Sequence, residues 1–176
     1  MLIGVVSDTH FQSVESGLAW LQAMQENDFS EVELILHAGD LVATGLLDFF
    51  VEKPMLAVRG NCDAYHPDLP QKRILTLAGF RIGMMHGYGA GERVLSCALQ
   101  EFAEENLDVL VYGHSHQSLC EIVDGVLCLN PGSPTDRRFA PYHSVGLLEL
   151  GERATGRIVN LDATDSGPRF RTGMTA

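Results

Sequence analysis

The segment LDVLVYGHSHQ, residues 107–117, decides the fold because it joins a strand-like apolar run to two histidines. Such a run is typical of a β-strand that is covered on both faces, as in α/β proteins. Gly113 permits a sharp turn, and His114 and His116 follow one residue apart. Side chains at positions i and i+2 of an extended backbone lie on the same side. The segment therefore predicts a strand that directs two imidazoles toward one region.

Four other apolar segments also carry polar side chains where a strand is expected to end. They are LIGVVSDTH at 2–10, ELILHAGD at 33–40, MLAVRGN at 55–61 and FRIGMMH at 80–86. With the two histidines, the side chains at these ends are Asp8, His10, Asp40, Asn61, His86, His114 and His116. The carboxyl ends of strands gather at one edge in α/β architectures, and sites form there. We therefore expect all seven side chains to meet.

These seven side chains have the chemistry of a metal site. Carboxylate, imidazole and amide groups favour Mn, Fe, Zn, Co or Ni over purely soft metals or calcium. Seven ligands are too many for one tetrahedral ion with an open position, and they suit two ions that share a bridging carboxylate. The residue types alone do not divide the ligands between the two ions.

Composition and charge narrow the classes of function. The chain has 176 residues, 45% of them hydrophobic, which predicts a single domain over 1–176 with a loose tail at 162–176. A formal net charge of −11 repels a phosphate backbone, so we do not expect a nucleic-acid polymer as a partner. Bound divalent cations can still draw in a small anionic substrate.

The first apolar run, LIGVV, is too short for a signal sequence or a membrane span, so we expect a cytoplasmic protein without membrane contact.

The remaining segments predict strands and helices that alternate, followed mostly by strands. Helices are expected at 14–27, 44–52 and 91–106, hairpins at 73–86 and 119–129, and further strands at 144–150 and 156–161. The register of the second hairpin places Cys120 opposite Leu129, so Cys120 and Cys128 point to different faces and do not form a disulfide.

In chain order, the motifs resemble the signature of the calcineurin-like metallophosphoesterases. They are DTH at 8–10, GD at 39–40, GN at 60–61, HG at 86–87 and GHSH at 113–116. The short chain and the segments GNCD at 60–63 and NPGS at 130–133 resemble the small bacterial and archaeal phosphodiesterase branch of that superfamily. The resemblance implies an α/β (α+β) fold, a four-layer β-sandwich flanked by helices (αββα), with a dinuclear site at one end.

The resemblance also implies two divalent metal ions, with manganese as the first choice. One ion would be held by Asp8, His10, Asp40 and His116, and the other by Asp40, Asn61, His86 and His114, with Asp40 as the bridge. The implied activity is that of a phosphodiesterase, which cleaves a small phosphate ester by attack of a metal-bridging hydroxide. Asp40, Asn61 and His86 are the implied catalytic residues around the bridging water. A homo-oligomer is a further expectation from the resemblance.

Three neighbouring residues are candidates to support the ligands or contact the substrate. Many members carry, in place of Cys62, a histidine that contacts phosphate or protonates the leaving group, and a neutral thiol does this poorly. Cys62 is expected to be a small buried hydrophobe, with a redox role near the metals as the alternative. Asp63 is expected to cap the following turn or orient a ligand imidazole, and His37 to pack behind the ligands. In NPGSPTDRR at 130–138, a rigid turn is preferred over phosphate contacts from Ser133 and Arg137.

Two other functions stay open. The fold could serve as a non-catalytic protein-binding scaffold, as in relatives whose ligand set is eroded, although all seven positions are present here. A dinuclear hydrolase of amides or lactones is the other alternative, although the order of the motifs matches the phosphoesterases.

Overall fold

Two five-stranded β-sheets form the centre of the computed structural model, which describes residues 1–48, 53–91 and 93–163. The strands are β1 (Leu2–Val6), β2 (Leu34–His37), β3 (Met55–Ala57), β4 (Lys72–Leu77), β5 (Phe80–Met85), β6 (Val109–Val111), β7 (Leu119–Val123), β8 (Val126–Asn130), β9 (Ser144–Leu150) and β10 (Ala154–Asn160). The α-helices are α1 (Val14–Glu26) and α2 (Arg93–Glu101), and Thr44–Asp48 forms a 3-10 helix.

The order of the strands places the predicted ligand segments side by side. The first sheet has the order β10-β9-β1-β2-β3, and the second has the order β4-β5-β6-β8-β7. Strands β1, β2 and β3 are parallel to one another, and β5 is parallel to β6. Because the five ligand segments follow these five strands, each sheet delivers its share of the ligands to one edge.

The two sheets pack face to face through apolar side chains. Val5 and Leu36 of the first sheet and Met84, Val111 and Leu129 of the second belong to one core, and all are fully buried. Burial of each such side chain contributes about 1.5–3 kcal/mol, so this interface stabilises the packing of one sheet on the other.

A helix covers the outer face of each sheet. Leu21 and Met24 of α1 pack in one cluster with Ile35 of the first sheet. The capping box of Ser13 and Ser16 begins this helix. Val94 and Ala98 of α2 pack with Leu110 and Cys128 of the second sheet. The layers are therefore helix, sheet, sheet, helix, and the predicted αββα sandwich is confirmed.

Most of the predicted helices and strands form, but many of them are shorter than the predicted ranges. The hairpin register is confirmed, since Cys120 pairs with Leu129, and the four cysteines are free. The helix predicted at 91–106 ends at Glu101, because the hydrogen bonds that follow span three residues and Asn106 has a φ of 45°. Only 44–48 of the helix predicted at 44–52 is described, and most of the predicted tail lies outside the described residues. None of the described helices combines the length and apolar character needed to cross a membrane.

Candidate metal centre

The first group of predicted ligands comes from the ends of β1 and β6. His116 Nε2 lies 3.2 Å from Asp8 Oδ1 and 3.4 Å from His10 Nε2. Asp8 and His116 are buried, whereas 20% of the His10 side chain is exposed. The three side chains offer ligand atoms that all lie within 4.8 Å of one another, which is close enough to bind one cation.

The second group comes from the ends of β3, β5 and β6. Asn61 Oδ1 lies 3.1 Å from His86 Nε2 and 3.0 Å from His114 Nδ1. The same two imidazole nitrogens are 3.3 Å apart. Asn61 Nδ2 donates to Cys62 Sγ at 3.2 Å, and this contact directs the amide oxygen toward the histidines.

Asp40 lies between the two groups. Its Oδ2 is 3.7 Å from His10 Nε2 and 3.4 Å from His86 Nε2, so one oxygen faces both groups. Its Oδ1 accepts the backbone N–H of Cys62 at 2.7 Å, which fixes the plane of the carboxylate. One oxygen of Asp40 is therefore within reach of a cation in either group.

Backbone carbonyls fix which ring nitrogen of three histidines faces the cluster. His86 Nδ1 donates to Ala38 O at 2.8 Å, and His114 Nε2 donates to Gly89 O at 3.0 Å. His116 Nδ1 donates to the carbonyl of Asp136. Since a carbonyl only accepts, the second nitrogen of each neutral ring presents its lone pair to the cluster.

The cluster therefore consists of acceptors that face one another. In addition, Asp8 Oδ1 is buried without a hydrogen-bond partner among the described residues. Buried acceptors without a donor are unfavourable, and cations bound between them remove the penalty. The donor set of carboxylate oxygens, an amide oxygen and imidazole nitrogens fits divalent metal ions.

Five of the seven predicted ligands have a left-handed backbone, so the extended backbone expected at these positions is wrong. Asp8, His10, Asp40, His114 and His116 have φ between 43° and 69°, whereas an extended backbone was expected to aim the pairs at one region. The side chains converge because the chain turns at each ligand. Asp and His enter this region more readily than most residues, but each such position costs about 1–3 kcal/mol and must be held by its surroundings.

Asp63 holds two of these turns together. Its Oδ2 accepts the backbone N–H groups of Asp40 and Gly60 at 2.9 and 2.8 Å, and its Oδ1 accepts that of Val42 at 2.7 Å. The expectation that Asp63 caps the following turn is therefore wrong, because the carboxylate instead joins the loop after β2 to the turn at Gly60. Within the described residues the Asp63 carboxylate makes no hydrogen bond to an imidazole, so it does not orient a ligand ring there.

His37 and Ser133 support the cluster from behind. His37 Nδ1 accepts the backbone N–H of Gly39 at 3.1 Å, and its Nε2 lies 3.0 Å from Thr9 Oγ1. Burial lowers the pKa of His37 to about 4, so this ring is neutral. Ser133 Oγ donates to Asp8 O at 2.7 Å, which gives the 130–138 segment the structural role that was preferred.

Two glycines permit the closest backbone approaches. A Cβ atom at Gly113 would lie 1.9 Å from Ser7 Oγ, and one at Gly60 would lie 2.1 Å from Asp40 Oδ1. Both glycines therefore bring ligand-bearing turns closer than any side chain would allow.

Electrostatics favour negative carboxylates at the centre. Burial raises the pKa of Asp8, but its contacts with His116 and His86 outweigh this effect and lower it. Burial also raises the pKa of Asp40. The hydrogen bond and the charge of His86 outweigh this effect, so the pKa of Asp40 lies well below its ordinary value. Conversely, burial lowers the pKa of His86 and His116, but Asp40 and Asp8 raise both above the ordinary value. The cluster attracts positive charge, either as protons or as metal ions.

The expectation that Cys62 is a small buried hydrophobe is wrong. Cys62 is exposed, and its Sγ accepts from Asn61 at the rim of the cluster. Partial burial and the carboxylates of Asp40 and Asp63 raise its pKa to about 11, so the thiol is neutral at pH 7 in the metal-free protein.

Sequence reasoning missed Arg138. Its Nη1 donates to His114 O at 3.5 Å, which places a cation beside the ligand turn. Arg137, the residue considered instead, donates to Ala140 O at 2.8 Å. The pair RR was visible in the sequence, but nothing in it indicated which guanidinium would lie near the ligands.

Comparison with known protein sequences identifies the superfamily to which the chain belongs. The calcineurin-like phosphoesterase superfamily domain matches residues 1–153, so the chain belongs to this superfamily of metal-dependent hydrolases. A probable metallophosphoesterase of Methanocaldococcus jannaschii is 35% identical over 166 residues, 92% of this chain and 82% of the relative. A protein of the same organism named a phosphodiesterase is 29% identical over 147 residues, 75% of this chain and 83% of the relative. The resemblance seen in the motifs is confirmed.

Solved structures show the same fold. A structure described as a novel archaeal phosphodiesterase has a TM-score of 0.71 and 24% identity, and the match covers 92% of this chain and all of that one. Vps29 of Chaetomium thermophilum has a TM-score of 0.67 and 20% identity, with 90% of this chain and 97% of that one covered. At these identities the structures establish the architecture and not the activity.

Proposed function

We propose that this protein is a phosphodiesterase that uses two divalent metal ions. The observation that carries the proposal is the position of Asp40, because its Oδ2 lies within 3.7 Å of imidazole nitrogens in both ligand groups. The relative named a phosphodiesterase supports the choice of a diester over a monoester as the substrate.

The proposed ligands divide around that carboxylate. Asp8, His10 and His116 would hold one ion, and Asn61, His86 and His114 would hold the other, with Asp40 shared. The hydrogen bonds to Ala38, Gly89 and Asp136 keep the ring nitrogens of three histidines directed at the ions. Arg138, beside His114, offers a guanidinium to a phosphate oxygen.

When bound, two such ions would polarise the phosphate and generate hydroxide near neutral pH for attack on phosphorus. Manganese is the first choice for the mixed oxygen and nitrogen set, with Fe, Zn, Co and Ni as the alternatives. Cys62, whose pKa is raised to about 11, does not supply a general base, so proton transfer would depend on water.

A matrix of metals and substrates tests the proposal. Protein stripped with EDTA is reloaded with each of the five metals and assayed on bis(4-nitrophenyl) phosphate, 4-nitrophenyl phosphate, cyclic AMP, an amide and a lactone. We expect about two metal ions per chain, turnover that depends on metal, and a preference for the diester. Preference for the amide or the lactone would overturn the assignment.

A matched pair of histidine variants makes the test specific. His116→Ala removes a ligand, whereas His143→Ala removes a histidine outside the cluster whose Nδ1 lies 2.9 Å from Asp162 Oδ1. We expect loss of metal and turnover only in His116→Ala. Wild-type protein that binds no metal and has no turnover would instead favour the protein-binding scaffold.

A further inference from the structure

A cavity of about 360 Å³ adjoins the metal centre on the side of Asn61 and His86. Arg59, Gln71, Lys72 and Tyr88 also line it. Cavities that bind small organic molecules measure about 300–1,000 Å³, so this one is large enough for more than a phosphate group. Asn61 and His86 line the cavity and also belong to the proposed ligands. A phosphate bound at the metal centre would therefore place one of its ester groups in or beside the cavity.

One wall of the cavity is held by paired charges. Lys72 forms an ion pair with Glu101, and its Nζ also donates to Glu101 O at 3.1 Å. Tyr88 donates its hydroxyl to Glu101 Oε1 at 3.0 Å, while half of the residue stays exposed. These contacts engage Lys72 and Glu101 with each other, and they tether the Tyr88 ring at the mouth of the cavity.

Arg59 differs from Lys72 because no residue in the described part of the chain pairs with its charge. Its guanidinium makes no ion pair with any residue in the described ranges, although its backbone N–H donates to Pro70 O at 2.9 Å. Asp63, which also lines the cavity, already accepts three backbone N–H groups. In a chain of net charge −11, an unpaired guanidinium in a cavity beside a phosphate site suits an anionic ligand group.

We propose that this cavity receives one ester group of a nucleotide-sized phosphodiester and that Arg59 binds a second anionic group carried by that ester group. The Tyr88 ring supplies a flat surface against which a planar part of the ester group can pack. The substrate class would be a small diester with an additional phosphate or carboxylate. This inference rests on the proposed phosphodiesterase activity.

Two dinucleotides that differ only in a terminal phosphate test it. The metal-loaded protein is assayed on adenylyl-(3′→5′)-adenosine, ApA, and on its 5′-phosphorylated form, pApA, by measuring cleavage of the internal ester bond. Hydrolysis adds water across the same internal ester bond in both. We expect kcat/KM to be about tenfold higher for pApA, mainly through KM, because a charge-assisted hydrogen bond binds the extra phosphate.

Arg59→Gln should reduce the ratio of the two kcat/KM values to about one, since the amide keeps polarity without charge. Arg153→Gln is the control. It removes an exposed arginine in the β9–β10 turn beside Leu150, and β9 pairs there with the start of β1, away from Asp8. A ratio that stays near ten in Arg153→Gln supports the inference and excludes a general effect of net charge.

The outcomes separate this inference from the proposed function. If the wild type cleaves bis(4-nitrophenyl) phosphate but cleaves neither dinucleotide, or cleaves both equally well, the inference fails and the proposed function stands. An unchanged ratio in Arg59→Gln also overturns the inference. If no metal supports cleavage of any diester, the proposed function itself fails. An added arm with an ester that carries a carboxylate in place of the phosphate distinguishes the two anions.

Discussion

The hairpin turns and the ligand turns both use left-handed backbone, but different interactions hold them. Ala78 and Gly79 in one hairpin have φ of 47° and 87°, and Asp124 and Gly125 in the other have φ of 50° and 86°. This is the pattern of a type I′ turn, whose twist matches that of the paired strands. A Cβ atom at either glycine would meet nothing within 4 Å, so these turns depend on local geometry alone.

The ligand turns are held from outside. Asp8 has a φ of 54°, its carbonyl accepts Ser133 Oγ, and its Oδ2 accepts the N–H of His114. Those partners lie 125 and 106 residues away in the chain. The strain of a hairpin turn is offset within the turn, whereas the strain of a ligand turn is offset by the rest of the fold. Changes at the metal centre should therefore affect binding and stability together.

The largest expected effect is that of Asp40→Asn. Loss of a partner that merely supports a ligand lowers metal affinity about 10–100-fold, so loss of the ligand shared by both groups should lower turnover by more than about 100-fold. Metal content by mass spectrometry and turnover of bis(4-nitrophenyl) phosphate check this. Asp162→Asn, which changes an exposed carboxylate paired with His143, is the control. Two tightly bound ions in Asp40→Asn would refute the bridging role.

A pair of glycine substitutions tests the contrast between the two kinds of turn. Gly113→Ala forces a Cβ against Ser7 Oγ, so we expect a loss of about 1–3 kcal/mol and loss of metal binding. Gly125→Ala meets open space but keeps a φ of 86°, so about 1–2 kcal/mol should be lost without any effect on metal. Urea unfolding and metal titration measure both. Equal metal affinity in the two variants would show that the ligand turns do not depend on close approach.

Asp63→Asn should weaken the metal centre without removing a ligand. The variant keeps one acceptor but directs an N–H₂ group at backbone donors, so metal affinity should fall about 10–100-fold. Asp108→Asn is the matched control, because Asp108 Oδ2 accepts the N–H of Arg81 at 2.7 Å outside the cluster. Its metal affinity should equal that of the wild type. Calorimetric titration with Mn²⁺ distinguishes the two, and equal affinities would contradict the role of Asp63.

The smallest effect concerns the pH dependence of stability. In the metal-free protein the pKa values of His86 and His116 are raised, so their contribution is complete below about pH 6.5 and is lost as the pH rises through the folded values. The pKa of His37 is lowered to about 4, so its contribution is complete above about pH 6.5 and is lost as the pH falls toward 4.

The urea midpoint in EDTA should therefore be highest near pH 6.5, the ordinary pKa of histidine. With saturating Mn²⁺ the midpoint should instead rise from pH 6 to pH 8, because ligand histidines must lose their protons to bind metal. A midpoint in EDTA that rises steadily up to pH 9 would show that the carboxylates do not hold protons on these rings.

Local patterns in the sequence were enough to predict most of the fold. The apolar run at 2–6 became β1 with the same bounds, and the residues of both hairpins pair in the expected register. The motifs were also enough to predict which seven side chains would meet. These features depend on the alternation of apolar residues and on turn residues that are neighbours in the chain.

The tertiary structure decided how the site is built. No local pattern showed that Asp40 Oδ2 would face both ligand groups, that Asp63 would hold two loops, or that Cys62 would be exposed. Nor did any local pattern show the left-handed backbone of the ligands or the position of Arg59 in the wall of the cavity. The reason is that these features arise from contacts between segments distant in the chain, whose positions are set by the packing of two sheets. Sequence determined which groups are present, and packing determined the atoms that face one another.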